Sequence, residues 1–229
     1  MLKFYVSIKI STKLKKPYLS FIITLQKFRT LLEKRQQLPQ DQFTDTDYFI
    51  YCLEAVDDVD ADSVTEGQKS LEQLTSQYGV ASIYKTCDTI EGLEASINAL
   101  VLDDHNFTDY EIIYMIIAGE ANTICINKYY YSLQEIAELF EGKLAGKILH
   151  FSNAKVLDLD EEEAQYFLDV TNAKAISGYG YAYNGVSSAH LDKAFFNLFK
   201  DDDDMLAVVE ELHQNHYKVC KLLDFRLYY

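Results

Sequence analysis

Five short, continuous apolar runs alternate with helix-like segments along most of this chain. That alternation restricts the fold more than any other feature. The runs are 48–53, 80–84, 110–117, 147–151 and 175–178. Each is too short for a buried helix and reads as a strand covered on both faces. The intervening pattern predicts helices over 63–79, 89–102, 132–142, 161–171, 187–199 and 202–216, with a last strand inside 219–228. Ser63 with Glu66, and Ser132 with Glu135, have capping-box spacing. Gly79 and Gly142 suit helix ends. Asn127-Lys128 between two short apolar pieces predicts a small hairpin over 123–131. Right-handed crossovers then give an α/β, doubly wound, mainly parallel sheet with helices on both faces. Ligands of such sheets meet the carboxyl ends of the strands near the point where strand order reverses. Residues 54–58, 118–122 and 152–155 are therefore where chemistry is sought.

The regular pattern begins near Tyr48, which divides the 229 residues into an extension, 1–47, and a domain, 48–229. Charge follows the same division. Residues 1–44 carry 9 Lys/Arg against 2 Asp/Glu, and the remainder 12 against 34, so +7 and −22 make up the net −15. A body this acidic repels phosphate, which argues against nucleic acid as its partner. The extension contains an apolar run at 18–25 flanked by Lys15, Lys16, Lys27 and Arg29. At about eight residues it is far short of the ~20 needed to span a bilayer, and no small-residue cleavage site follows it. A basic helix over 20–37 is expected, either docking on the domain or dispensable; a membrane-surface or partner-binding helix is the alternative. The polar stretch 38–47 reads as a linker.

The familiar nucleotide and nucleophile motifs are missing: no GxxxxGK[ST], no GxGxxG after the first strand, no GxSxG. Cys52, Cys87, Cys125 and Cys220 stand singly and read as reduced thiols of a cytoplasmic protein. His213 and His216 are three apart, but no third ligand accompanies them, so a solvated helix face is expected and no metal or other cofactor. The acids 201–204 read as the negative start of a helix. His150 lies inside the fourth strand and reads as a core or supporting histidine.

Two strand ends carry the informative pattern. The third strand ends Tyr114-Met-Ile-Ile-Ala-Gly-Glu120, and the fourth Ile148-Leu-His-Phe-Ser-Asn-Ala154. From about 48 to 228 the chain resembles the caspase-like cysteine peptidases, specifically short bacterial members related to the CHAT (separase-like) branch. In that family the third strand is followed by His-Gly, often His-Gly-Glu, and the fourth by a small residue and the nucleophilic Cys. The stretch Ala173 to Tyr179, the Ser187-Ser188 helix start and the phenylalanine-rich helix after it are also similar.

The resemblance implies a cysteine endopeptidase acting on a protein or peptide. The bacterial group is linked to defence systems whose partners include gasdermin-like pore formers. Yet the family's His position is Ala118 and its Cys position is Ala154. A thiolate nucleophile needs a sulfur and an imidazole to take its proton, and two methyl groups supply neither. None of the four cysteines is expected near that strand end, so as written the chain is catalytically dead. Gly119 would keep the turn and an oxyanion-hole N–H. Glu54, Asp57 and Asp58, with Glu120, Asn153 and Asn184, would line the substrate side. The three acids after the first strand read as a solvated acidic loop or, in the alternative, favour a basic residue before the cut, although Asn184 stands where relatives tend to carry an acid. The otherwise intact surroundings favour deliberate replacement of the two side chains. The alternative is a natural pseudoprotease that binds a peptide or protein through the same cleft. A third reading, an unrelated doubly wound domain with a small ligand, would be favoured if strands three and four proved non-adjacent.

Overall fold

The computed structural model of the chain describes residues 49–60, 63–78, 80–104, 107–152, 155–182, 186–199 and 204–229. The basic extension and its boundary, Asn153, Ala154, Asn184 and the acids 201–203 lie outside the described residues. Nine strands are found among them: β1 (Phe49–Ala55), β2 (Ala81–Cys87), β3 (Tyr110–Ile116), β4 (Gly119–Glu120), β5 (Thr123–Ile126), β6 (Tyr129–Ser132), β7 (Ile148–Ser152), β8 (Ala175–Tyr179) and β9 (Phe225–Tyr228). The helices are α1 (Glu66–Tyr78), α2 (Ile90–Asp103), α3 (Leu133–Leu139), α4 (Glu161–Thr171), α5 (Ala189–Leu198) and α6 (Met205–Leu223).

Six strands form one sheet in the order β2-β1-β3-β7-β8-β9. All neighbours run parallel except β8 and β9, which are antiparallel. The order reverses between β1 and β3, which makes that the switch point. Side chains alternate to two cores. Tyr51, Leu53, Ile113, Met115, Leu149 and Phe151 meet α2, α3 and α4 through Leu93, Ile97, Ile136 and Phe167. Ile50, Cys52, Ile112, Tyr114 and Ile148 meet α1, α5 and α6 through Leu71, Leu74, Phe195, Phe196 and Leu212. The expected α/β doubly wound sheet with helices on both faces is the one formed. Both faces being covered explains why the strand segments read as unbroken apolar runs rather than as alternating ones. Truncating a fully buried leucine such as Leu149 is expected to cost about 2–5 kcal/mol.

Several element ends depart from expectation. Thr65, not Ser63, caps α1: its hydroxyl accepts the N–H of Gln68 at 3.0 Å. The Ser132–Glu135 capping box forms on α3 as expected, with Glu135 Oε2 accepting the Ser132 N–H at 2.7 Å. That helix ends at Leu139, and Gly142 serves the following turn with φ +65°. The last helix runs to Leu223 instead of stopping near 216, because Cys220 and Leu223 extend its buried face past a kink at His216. The expected hairpin is present; Asn127 and Lys128 both adopt left-handed φ (49° and 68°), the turn that matches strand twist. No helix among the described residues is long and apolar enough to cross a membrane.

Candidate functional site

The carboxyl edge of the sheet places the searched residues in a row. Register pairs Thr86 with Glu54, Glu54 with Ile116, and Ile116 with Ser152. Strands three and four of the large sheet's parallel set, β3 and β7, are therefore neighbours. Ala118 lies two residues past the Ile116–Ser152 pair and is exposed. Its carbonyl accepts the Cys125 N–H at 2.6 Å. Gly119 is required by close approach: a Cβ there would lie 2.1 Å from the Thr123 carbonyl oxygen on β5.

Beyond both strand ends the chain is joined again. Glu120 forms a parallel bridge with Lys155, and their side chains pair at 2.7 Å. The hydrogen bond from Lys155 and its charge hold the exposed Glu120 carboxyl below the usual range. The N–H groups of Ala121 and Asn122 donate to the carbonyls of Lys155 and Val156 at 3.0 and 2.8 Å. The Asn122 amide adds two bonds to one residue, donating to the Asp158 carbonyl at 3.0 Å and accepting its N–H at 2.7 Å. Asn153 and Ala154, between these contacts in sequence, lie outside the described residues, as does Asn184.

The three acids after β1 are not alike. Glu54 is half-buried; its Oε2 accepts from Thr65 Oγ1 at 2.6 Å and Tyr84 OH at 2.7 Å. A Cβ on Gly67 would fall 2.5 Å from that oxygen and 2.4 Å from Ile116 Cδ1, so the first turn of α1 sits directly on the carboxylate. Burial and then the Glu54 carboxylate push the Tyr84 phenol up, while its contact with Thr65 opposes them. Asp57 and Asp58 are exposed, with Asp58 Oδ1 accepting the Asp60 N–H at 2.9 Å. Thus Glu54 clamps β1, β2 and α1 together, and the two aspartates belong to the loop above it.

The nucleophile-and-base inventory corrects one expectation. Cys52, Cys87 and Cys220 are buried, and burial pushes their thiols up, Cys87 to about 12 and Cys220 to about 11. Cys125, expected to be remote, lies beside Ala118 because β5 folds back along β4. Among the described residues no imidazole is seen to accompany it: His150 has no solvent exposure and both its nitrogens are engaged. Among the described residues no group of three or more His, Cys, Asp or Glu can hold a metal.

What the residue pattern did not reveal is the partner of His150. Its Nε2 meets Asp192 Oδ1 at 3.0 Å and its Nδ1 meets Ser177 Oγ at 2.9 Å. Asp192, 1% exposed on α5, also accepts from Tyr179 on Oδ1 and from Tyr114 (2.7 Å), Ser152 and Ser188 (3.1 Å) on Oδ2. Burial raises the Asp192 carboxyl, but the His150, Ser152 and Tyr179 donors outweigh it and hold it below the usual aspartate range. Burial, then the Asp192 charge, keeps both phenols well above theirs. One carboxylate thereby ties α5 to β3, β7 and β8 immediately beneath the edge that ends at Ser152. The signal was available: 191, 192, 195 and 196 form the buried stripe of α5, and 192 is its one acid. An open cavity of about 570 Å3 lies elsewhere, by Ala173, Lys174 and Tyr229 at the amino-terminal edge of β8, and takes no part in this arrangement.

Comparison with known proteins adds three findings. A family model described as "Family of unknown function (DUF6642)" matches residues 47–229. The crystal structure of the Drosophila initiator caspase Dronc is similar at 11% identity and a TM-score of 0.44, over 73% of this chain and 72% of that one. No curated protein matches.

Proposed function

We propose, for a chain that belongs to the DUF6642 family, that it is a caspase-like scaffold which holds a peptide or partner protein at the carboxyl edge of its sheet without cutting it. The observation that carries this reading is the exposed Ala118 just past β3, with the imidazole of His150, opposite Tyr114 on the adjacent strand, wholly buried and committed. Cysteine peptidase chemistry needs a thiolate and a base in contact. Removing nucleophile or base from a serine peptidase costs about a millionfold in kcat, so two alanines leave binding as the activity that survives. Binding is supported by the build of this edge: β3 and β7 are adjacent, and the segments beyond them are held together through Glu120, Asn122 and Lys155.

The ligand we favour is a protein segment with a basic residue. Glu54 offers Oε1, which takes no hydrogen bond from the described residues, and Asp57 and Asp58 stand exposed above it. Ala118, Gly119, Glu120, Asn153, Ala154 and Asn184 would complete the lining. In the related reading the parent is a cysteine endopeptidase from which the dyad was removed, and the ligand is its substrate, a defence partner such as a gasdermin-like protein. One experiment separates the two. Ala118→His with Ala154→Cys is compared with the chain as written on a peptide library varied around a Lys or Arg, reading both cleavage and fluorescence polarisation. Binding by both proteins with no cleavage supports the non-cutting scaffold. Alkylation-sensitive cleavage by the restored protein alone establishes the endopeptidase parent. Absence of binding and cleavage in both refutes a peptide site at this edge.

A further inference from the structure

Helices α5 and α6 pack side by side on one face of the sheet. Where the first turn of α5 meets the middle of α6, the rings of His190 and His216 meet edge to face, 5.5 Å between centroids and 77° between planes. We propose that these two imidazoles form a site for a divalent transition metal, one that clips α5 to the bend of α6. Two imidazoles bound to one ion at about 2.0–2.1 Å per nitrogen, with a tetrahedral angle between them, have ring centres about 5 Å apart. The observed 5.5 Å is close to that separation, so a rotation of the two rings, without movement of the helices, would bring one nitrogen of each onto a shared ion.

Three further observations support the site. His190 is exposed and His216 half-buried, so an ion can enter from solvent. No hydrogen bond or ion pair holds either ring among the described residues, whereas His213 is bound through Nδ1 to the Val209 carbonyl at 3.0 Å and lies against Phe225. The pair three apart in sequence is thus replaced by a pair between helices. Finally, α6 leaves helical geometry at His216 alone (φ −129°, ψ 25°), in a stretch, Gln214-Asn215-His216-Tyr217, without the Pro or Gly that ordinarily bends a helix. The bend coincides with the residue that meets α5. The protein's net charge of −15 raises the local concentration of cations. Imidazole ligands favour Cu2+, Ni2+ and Zn2+ over Mg2+ or Ca2+, and with two protein ligands the remaining positions fall to water.

The test is titration of the full chain with Zn2+ by calorimetry, and with Cu2+ followed by electron paramagnetic resonance. One ion per chain is expected, with two imidazole nitrogens on Cu2+. His190→Gln and His216→Gln should each weaken binding about tenfold or more, while His213→Gln and Cys125→Ser leave it within about twofold. Zn2+ should raise the melting temperature of the unaltered chain and not of the two variants. Circular dichroism checks that the variants are folded; should His216→Gln unfold, the exposed His190 decides the matter alone. No binding by the unaltered chain at a hundredfold excess of metal, or equal binding by His190→Gln, overturns the proposal.

Discussion

Replacing Asp192 by alanine is the sharpest probe of how this fold is held. The carboxylate accepts from five side chains, His150, Tyr179, Tyr114, Ser152 and Ser188, drawn from three strands and its own helix. Every one of them is at most 3% exposed, so water cannot take its place. Breaking a buried charged network by removing one partner costs about 3–5 kcal/mol, because the groups left behind are desolvated and unpaired. We expect about 4 kcal/mol for Asp192→Ala, a large share of a typical total of 5–15 kcal/mol. With a urea slope of about 2 kcal/mol/M, that is a midpoint shift of about 2 M. Asp192→Asn should cost about half as much, since the amide keeps one acceptor and the four hydroxyl groups can rotate to accept from its NH2. Ser177→Ala, which removes only the second partner of His150, should cost about 1 kcal/mol. A shift below about 0.5 M for Asp192→Ala, with an unchanged slope, would refute the idea that this carboxylate anchors α5.

Other expectations follow from single contacts. Gly119→Ala forces β4 away from the Thr123 carbonyl and should cost about 2–3 kcal/mol, read by denaturant melts; a loss under 0.5 kcal/mol would show that the hairpin yields freely. In native conditions one thiol per chain, Cys125, should react rapidly with a disulfide reagent, and Cys125→Ser should abolish that reaction; fast labelling of Cys52, Cys87 or Cys220 would contradict their burial. Tyr84→Phe removes one donor from Glu54 and should cost about 1 kcal/mol, seen as a melting point lower by about 3 °C.

Much of the architecture was legible because both faces of the sheet are covered. The runs at 48–53, 110–117 and 147–151 have no polar side and can only be central strands, and the capping box at Ser132 starts α3 where it was expected. Helix ends were less legible: Thr65 and Ser63 are both competent caps, and tertiary contact with Glu54 selects Thr65. The kink at His216 has no breaker residue to announce it, so the stop expected there is only a bend. At the site, adjacency of the two strand ends followed from strand order, but the return of Cys125 to Ala118 depends on β4, a two-residue strand with no apolar pattern of its own. Asp192 was hidden by composition: an acid within a helix start reads as a favourable charge near the dipole, and only its place in the stripe with Leu191, Phe195 and Phe196 marks it as buried.

The double amide contact of Asn122 with Asp158 has a kinetic meaning. It joins points 36 positions apart, and the intervening chain includes α3 and the whole of β7. This part of the carboxyl edge therefore cannot close while β7 is still searching for its place beside β3. Loops of that length close late compared with helices and hairpins. A folding chain therefore completes this part of the carboxyl edge only after β7 has taken its place beside β3, the same event that brings Ile148, Leu149 and Phe151 into the two cores.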